Sequence, residues 1–175
     1  MNFIKTGIEG VVIIEPRLFN DARGYFFESF SQREFDEAVR RVRFVQDNES
    51  RSSRGVVRGL HFQKPPFAQS KLVRVVSGAV LDVAVDIRKG SPTFGRHVAV
   101  ELSGENHRLT ESVVFQYKCD NYYSPESEGA LAWDDPDLGI DWKTAPSDVI
   151  LSEKDRCHSR LRDAEWLFDY NANLY

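Results

Sequence analysis

Short apolar runs of strand length recur along the chain and alternate with turn-forming residues. The runs are Val11–Ile14, Tyr25–Phe30, Phe44–Val45, Val56–Phe62, Leu72–Val76, Ala79–Ile87, His97–Leu102 and Val113–Tyr117. Turn-forming residues separate several of them, at Asn20–Gly24, Ser77–Gly78 and Lys89–Pro92. At Ser77–Gly78, a glycine that can adopt positive φ predicts a β-hairpin. Many short strands without strand–helix alternation are typical of all-β proteins, and we expect a jelly-roll barrel.

One segment has the pattern of an amphipathic helix. Ser31 is a common N-cap residue, and Glu34 stands three positions later, as in a capping box. The apolar residues that follow fall on one helical face: Phe35, Ala38, Val39 and Val42. We expect a single domain over residues 1–175, with a short helical part over about 148–175.

Composition excludes several classes of function. The chain has 175 residues, a net charge of −4 and 41% hydrophobic residues, which is typical of one soluble domain rather than a nucleic-acid-binding protein. It contains no apolar run of the roughly 20 residues that span a bilayer, and its start does not resemble a signal peptide. Cys119 and Cys157 lack zinc-finger or redox spacing. We therefore expect a cytoplasmic protein that binds neither membranes nor nucleic acid.

Cations and a histidine lie among β-branched residues on successive predicted strands. Arg58, His61, Lys71 and Arg74 would line a polar pocket suited to an anionic small molecule, with an imidazole as a base. A strand histidine is more often structural, so this pattern alone does not decide its role. Arg58 and His61 also point to opposite faces of an ideal strand unless Gly59 introduces a bulge.

Other kinds of catalytic site fit less well. A metal-dependent cupin oxygenase needs clustered histidines, whereas the sequence here is His61-Phe-Gln63 and the other histidines are His97, His107 and His158. We therefore expect no metal site. A nucleophile elbow, a phosphate loop and a dinucleotide fingerprint are also absent from the sequence.

Two aromatic positions and one carboxylate remain open. Tyr117 shares a strand face with Phe115, and is either a core residue or a proton donor in a pocket. Tyr123 lies near a strand end, where an aromatic ring can stack on a planar base. Asp155 has the surroundings of an ordinary surface carboxylate, and its spacing does not connect it to His61.

A series of motifs in a fixed order nevertheless resembles one enzyme family. The motifs are Phe44-Val-Gln-Asp-Asn48, Val57-Arg-Gly-Leu-His-Phe-Gln63, Lys71-Leu-Val-Arg74, Asp82-Val-Ala-Val-Asp86, Ser91-Pro-Thr-Phe-Gly95, Tyr117-Lys, Asn121-Tyr-Tyr123, Ser127-Glu-Gly129 and Gly139-Ile-Asp-Trp142. Together they resemble dTDP-4-dehydrorhamnose 3,5-epimerase from about Ile4 to Asp155.

The resemblance implies a cupin-type jelly-roll homodimer that uses no metal or organic cofactor. Its substrate would be dTDP-4-dehydro-6-deoxyglucose, inverted at C3 and C5 on the route to dTDP-L-rhamnose. By this resemblance His61 is the base, Asp155 orients it, Lys71 stabilises the enolate and Tyr117 is the acid. It further implies a set of residues around the nucleotide and sugar: Arg23, Phe26, Glu28, Gln46, Asn48, Arg58 and Tyr123.

The chain departs from the family pattern after Arg108. About 14 residues are missing there, roughly one strand and a turn with a pocket histidine. If the segment is truly absent, we expect lower stability and impaired catalysis. Two alternatives therefore stay open: a single-site 3- or 5-epimerase of a related dTDP-deoxysugar, and a non-catalytic sugar-nucleotide-binding jelly roll.

Overall fold

The computed structural model describes residues 1–104 and 111–172, and it divides into two compact units, Met1–Arg43 and Phe44–Tyr175. Antiparallel strands predominate in both. The described residues include one α-helix and several short 3-10 turns. The predicted all-β class is therefore confirmed. No helix in this described part is long and apolar enough to cross a membrane.

Two antiparallel strand pairs and the helix form the first unit. The strands are β1 (Asn2–Lys5), β2 (Val12–Glu15), β3 (Phe19–Asp21) and β4 (Gly24–Phe26), paired β1 with β2 and β3 with β4. The predicted turn before Gly24 is confirmed, since the Arg23 amide donates to Asp21 Oδ1 at 2.8 Å and Gly24 has φ +132°. Only the first residues of the predicted strand Tyr25–Phe30 are in β4.

Helix α1 (Gln32–Ala38) begins after Ser31, as predicted, but the capping box is wrong. Within the described residues Ser31 makes no side-chain capping bond, and Glu34 instead accepts a 2.7 Å bond from the N-terminal amine. The helix ends before Val39, so Val42 lies in the segment that follows the helix. Val42 is buried there and does not belong to the helical face.

The second unit contains the larger sheets. Its strands are β5 (Gln46–Ser53), β6 (His61–Gln63), β7 (Lys71–Ser77), β8 (Ala79–Val85), β9 (Arg88–Lys89), β10 (His97–Ser103), β11 (Ser112–Cys119), β12 (Glu128–Ala130) and β13 (Phe168–Asp169). One antiparallel sheet has the order β5–β11–β7, and β10 pairs with β8. Two smaller pairs join β6 to β12 and β9 to β13.

The hairpin predicted at Ser77–Gly78 is wrong. Gly78 does have positive φ, +84°, as expected. However, β7 pairs with β11 while β8 pairs with β10, so the two strands belong to different sheets. Gly78 lets the chain pass from one sheet to the other.

The strand that carries His61 lies over an apolar cluster. Leu131, Leu138 and Leu161 are buried there, and Phe62 packs against them. Because side chains alternate along a strand, His61 points away from this cluster. Gly129 of β12 permits the close approach, since a Cβ there would lie 2.4 Å from the Phe62 ring. The apolar cluster therefore fixes the face on which the imidazole emerges.

A buried carboxylate organises the turn after β8. Asp86 accepts bonds from Ser91 Oγ and Thr93 Oγ1, each at 2.6 Å, and from the Arg88 guanidinium at 2.8 Å. Burial alone would raise the pKa of Asp86, but these hydrogen bonds outweigh it and hold the pKa well below its usual range. The motif Ser91–Gly95 is thus a structural feature of this turn.

Candidate active site

His61 and Asp155 form a hydrogen-bonded pair. His61 begins β6 opposite Ala130 of β12, and its Nε2 lies 2.6 Å from Asp155 Oδ1. Asp155 belongs to the 3-10 turn Lys154–Arg156 and is only 5% exposed. These two residues are 94 positions apart in sequence, so the fold creates the pair that spacing did not reveal.

Ser152 holds the other oxygen of this carboxylate. Its hydroxyl donates to Asp155 Oδ2 at 2.6 Å, and the Asp155 amide donates to Ser152 Oγ at 3.1 Å. Burial alone would raise the pKa of Asp155, but the bonds from Ser152 and His61 lower it overall. The carboxylate is therefore ionised at neutral pH and accepts the imidazole N–H.

This hydrogen bond sets the tautomer of His61. An ionised carboxylate at Nε2 favours the imidazole with its proton on that nitrogen. In that form Nδ1 carries the lone pair. The His61 side chain is 30% exposed, so the pair combines a buried orienting carboxylate with an imidazole that substrate can reach.

His158 is a third member of this group, and the sequence did not indicate it. Its Nε2 lies 3.5 Å from Asp155 Oδ1, and its ring meets the His61 ring edge-on at a centroid distance of 5.7 Å. This nitrogen is buried and has no hydrogen-bond partner among the described residues.

Tyr117 and Lys71 meet on the three-stranded sheet. Tyr117 in β11 pairs with Val73 of β7, and Lys71 Nζ lies 5.6 Å from the centre of the tyrosine ring. Burial raises the pKa of Tyr117, and the charge of Arg58 opposes the rise. The phenol is therefore protonated at neutral pH and able to act as an acid.

Glu128 interacts electrostatically with both His61 and Tyr117. It lies in β12, and its carboxylate accepts bonds from Tyr123 Oη at 2.9 Å and from Lys154 Nζ. Burial would raise the pKa of Glu128, but Lys154 and Tyr123 lower it, and His61 lowers it further. The same carboxylate raises the pKa of Tyr117. Glu128 thus acts electrostatically on both His61 and Tyr117.

A cavity of about 280 Å³ lies in the second unit. Its lining includes Arg58, Asp82 and Phe115, whereas His61 and Tyr117 are not among the described residues that line it. Burial raises the pKa of Asp82, and the charge of Lys71 opposes the rise. Among the described residues proposed for the site, Arg58 is therefore the one that lines this cavity.

Three of the predicted nucleotide residues are brought together in the second unit. Gln46 donates to Asn48 Oδ1 at 3.0 Å and accepts from the Tyr123 amide at 3.1 Å. Asn48 contacts the thiol of Cys119 at 3.8 Å; this cysteine is fully buried, whereas Cys157 is exposed. The backbone amide of Tyr123 is therefore joined to Gln46, and Gln46 in turn to Asn48.

The remaining predicted contacts are on exposed segments. Arg58 precedes β6 and donates to Ser52 Oγ at 3.1 Å, and it lies outside a strand, so the strand-face argument does not apply to it. Arg23, Phe26 and Glu28 lie in the first unit, where Arg23 pairs with Asp21 at 2.6 Å. The shortened connection after Arg108 falls on residues 105–110, outside the described residues.

Comparison with known proteins identifies the family. A family model described as dTDP-4-dehydrorhamnose 3,5-epimerase matches residues 5–163. The dTDP-4-dehydrorhamnose 3,5-epimerase of Methanothermobacter thermautotrophicus is 48% identical across 92% of this chain and 95% of its own length. The chain belongs to the dTDP-4-dehydrorhamnose 3,5-epimerase family. It is accordingly an isomerase of the carbohydrate epimerase class.

Solved structures of epimerases agree with this assignment. The chain is 47% identical to a Legionella pneumophila 3,5-epimerase solved with dTDP-4-keto-L-rhamnose, with a TM-score of 0.90 over 98% of this chain and 99% of the other. A 3′-monoepimerase from Streptomyces bikiniensis, solved with dTDP-quinovose, is 35% identical with a TM-score of 0.84 over 93% and 89%. The predicted cupin-type jelly roll is confirmed by these likenesses.

The alignments also bear on the short connection. The match to the archaeal dTDP-4-dehydrorhamnose 3,5-epimerase extends over 176 positions, more than the 175 residues of this chain, although it covers only 92% of it. The relative therefore carries residues without a counterpart here. This agrees with the shortening that the family pattern indicated.

Proposed function

We propose that this protein inverts both C3 and C5 of dTDP-4-dehydro-6-deoxyglucose, with His61 as the base and Tyr117 as the acid. The observation that carries the proposal is the ionised, buried Asp155, which holds His61 Nε2 at 2.6 Å in a chain of this family. Both carbons are next to the C4 ketone, so their protons are acidic enough for an imidazole to remove once the enolate is stabilised.

Each inversion consists of two proton transfers on opposite faces of the sugar. Nδ1 of His61 takes the proton from carbon, while the electron pair of the C–H bond moves to the C4 oxygen as an enolate. The Lys71 ammonium stabilises that oxygen. Tyr117 then gives its phenolic proton to the same carbon from the other face. Solvent reprotonates the phenolate and removes the proton from His61, and the cycle repeats at the second carbon.

The nucleotide is proposed to anchor the sugar between these groups. Arg58 and Arg23 supply charge-assisted bonds to the diphosphate. The remaining contacts surround the thymidine and the sugar: Phe26, Glu28, Gln46, Asn48 and Tyr123. The support in the structure is the cluster of Gln46, Asn48 and Tyr123. As in the family pattern, we place the enzyme in the cytoplasm as a homodimer without a metal or organic cofactor.

Deuterium uptake from heavy water into dTDP-4-dehydro-6-deoxyglucose tests the proposal. Label at both C3 and C5, read by NMR and mass, is the expected result. Tyr117→Phe is expected to keep exchange at the carbon that His61 attacks but to lose inversion, because its ring lacks the proton that is returned. Product formation by that variant at the parent rate would assign the acid elsewhere.

A single-site epimerase is the second candidate, favoured by the likeness to the Streptomyces bikiniensis 3′-monoepimerase. The same experiment separates the two, because a 3-epimerase labels C3 and leaves C5 unlabelled. Binding of dTDP without label at either carbon would indicate that the chain is a sugar-nucleotide-binding protein without catalysis.

A further inference from the structure

The group around Asp155 offers three ligands of two types that transition metals prefer, imidazole and carboxylate. One ring nitrogen of His61, one carboxylate oxygen of Asp155 and one ring nitrogen of His158 all lie within 4.8 Å of one another. Two imidazoles and one carboxylate form a common protein ligand set for Zn²⁺. His158 Nε2 is buried, has no hydrogen-bond partner among the described residues, and lies next to Asp155 Oδ1.

The distances suit a small tetrahedral ion. Zinc–ligand bonds of 2.0–2.2 Å put neighbouring ligand atoms about 3.3–3.6 Å apart in a tetrahedron. The separation of His158 Nε2 and Asp155 Oδ1 is already 3.5 Å. His61 Nε2 and Asp155 Oδ1 are 2.6 Å apart, because they share a proton, and they separate when a metal replaces that proton.

The surroundings hold the carboxylate in place for a metal. Ser152 Oγ donates to Asp155 Oδ2 at 2.6 Å and leaves Oδ1 to the two histidines. Hydrogen bonds to the non-coordinating atoms of a metal-binding side chain orient that side chain and strengthen metal binding. His61 is partly exposed, which gives an ion a path from solvent.

We propose that His61, Asp155 and His158 form a Zn²⁺-binding site whose occupation switches off the base. A water molecule completes the four ligands. The inhibitory part of this proposal rests on the proposed function of His61, whereas the metal binding does not.

The switch follows from the tautomers of imidazole. In the metal-free pair Nε2 carries the proton and Nδ1 the lone pair that accepts a proton from substrate. When Zn²⁺ takes the lone pair of Nε2, the proton of the neutral ring resides on Nδ1. The ring thus gives up its Nε2 proton to solvent and takes one proton from solvent at Nδ1, with no net release, and Nδ1 becomes a donor. Zinc binding and proton abstraction by His61 therefore exclude each other.

Calorimetric titration of the untagged, chelator-treated protein with ZnCl₂ is the first test. We expect one site per chain and, for His158→Gln, affinity lower by about 100-fold, since even the loss of an outer hydrogen-bond partner costs 10–100-fold. His97→Gln, which removes a histidine of β10, is the matched control and is expected to retain the affinity. Mg²⁺ is expected not to bind, because it prefers oxygen ligands. Equal Zn²⁺ affinity in the parent and in His158→Gln would overturn the site.

A ¹⁵N–¹H NMR spectrum of the histidine rings tests the switch directly. On Zn²⁺ addition we expect the His61 ring to change from the Nε2–H to the Nδ1–H tautomer, and EDTA to reverse the change. Zinc binding that leaves the His61 tautomer unaltered would overturn the proposal.

Inhibition of turnover by Zn²⁺ is measured for each variant relative to its own metal-free rate. We expect His158→Gln to need about 100-fold more Zn²⁺ than the parent for the same inhibition. A protein that binds Zn²⁺ as expected but never turns over substrate would contradict the proposed function and leave the metal site intact.

Discussion

At the scale of single residues, the candidate site depends on how one buried carboxylate distributes its two oxygens. Asp155 gives Oδ1 to His61 and Oδ2 to Ser152. This division keeps the acid ionised despite its burial and fixes the orientation of the imidazole ring. The role proposed for His61 as a base therefore depends on the pair rather than on the histidine alone.

Asp155→Asn tests that dependence. The amide can present its NH₂ group to Nε2, which favours the tautomer with the proton on Nδ1, and it no longer stabilises the imidazolium. We expect kcat/KM to fall by about 10²–10⁴-fold and the acidic limb of the pH–rate profile to change. Steady-state rates between pH 5 and 9 provide the measurement. A profile and rate identical to those of the parent would remove Asp155 from its orienting role.

The sequence indicated part of this site and missed part of it. His61, Lys71 and Arg58 were recognisable because charged and imidazole groups are unusual among β-branched residues. Asp155 came only from the family resemblance, since a contact between residues 94 positions apart leaves no periodic signal. His158 had no signal of either kind, and Glu128 stood only within the family motif Ser127-Glu-Gly129, with no role attached to it.

At the scale of elements, strand formation depends on pairing with a neighbouring strand as well as on apolar content. The polar segment Gln46–Ser53 was not predicted as a strand, because its apolar content is low. It forms β5 all the same, since it alternates exposed and half-buried residues and pairs along its length with β11. The strands β7, β8, β10 and β11 were predicted nearly to their ends, because their apolar runs contain few polar residues.

Gly129→Ala is expected to disturb the strand pair that presents His61. The added Cβ would lie 2.4 Å from the Phe62 ring, so either the ring or β12 must move. We expect the free energy of unfolding to fall by about 1–3 kcal/mol and the catalytic rate to fall with it. Gly7→Ala is a suitable control, because its Cβ would have no neighbour within 4 Å. Urea denaturation of both variants measures the difference, and equal stabilities would contradict the expected clash.

Asp86→Asn tests the turn after β8. The carboxylate accepts bonds from Ser91, Thr93 and Arg88, so the amide leaves buried donors without an acceptor. A loss of about 1–3 kcal/mol is expected at pH 7.

The pH dependence of this loss has a definite sign. The folded pKa of Asp86 is depressed below its ordinary 3.8, so the stabilisation is complete above that value and is lost as the pH falls below it. The parent should therefore lose more stability than the Asn variant between pH 5 and pH 2.5. Denaturant midpoints of both proteins across that pH range measure this difference. Equal losses of stability in the parent and in the Asn variant would contradict the lowered pKa of Asp86.

At the scale of the whole molecule, the residues proposed for nucleotide binding differ from those proposed for proton transfer. We expect dTDP to raise the melting temperature of the parent and of His61→Ala by the same amount, because the proposed nucleotide contacts do not include the histidine. At 100 times the Kd the added stability is about 2.7 kcal/mol. Arg58→Ala should show a smaller rise, since it removes a charge proposed to bind the diphosphate. A loss of the dTDP effect in His61→Ala alone would place His61 among the nucleotide contacts.

The fold class was predictable from the chain, whereas its exact strand pairing was not. Recurrent short apolar runs suffice to predict an all-β protein, and the family motifs named the jelly roll. The hairpin prediction at Ser77–Gly78 was wrong because the positive φ of Gly78 is compatible with a crossing between two sheets as well as with a hairpin turn. Local turn chemistry does not distinguish the two, since the choice depends on which distant strand supplies the hydrogen bonds.

The contrast between the two cysteines provides an unmodified probe of motion. Cys157 is exposed two residues from Asp155, so a thiol reagent modifies it directly. Cys119 is fully buried in β11, and burial also raises the pKa of its thiol, so it reacts only while the sheet β5–β11–β7 is open. The labelling rate of Cys119, the slower of the two, is followed by mass spectrometry. It therefore measures how often the sheet that carries Tyr117 and Lys71 opens in the native protein.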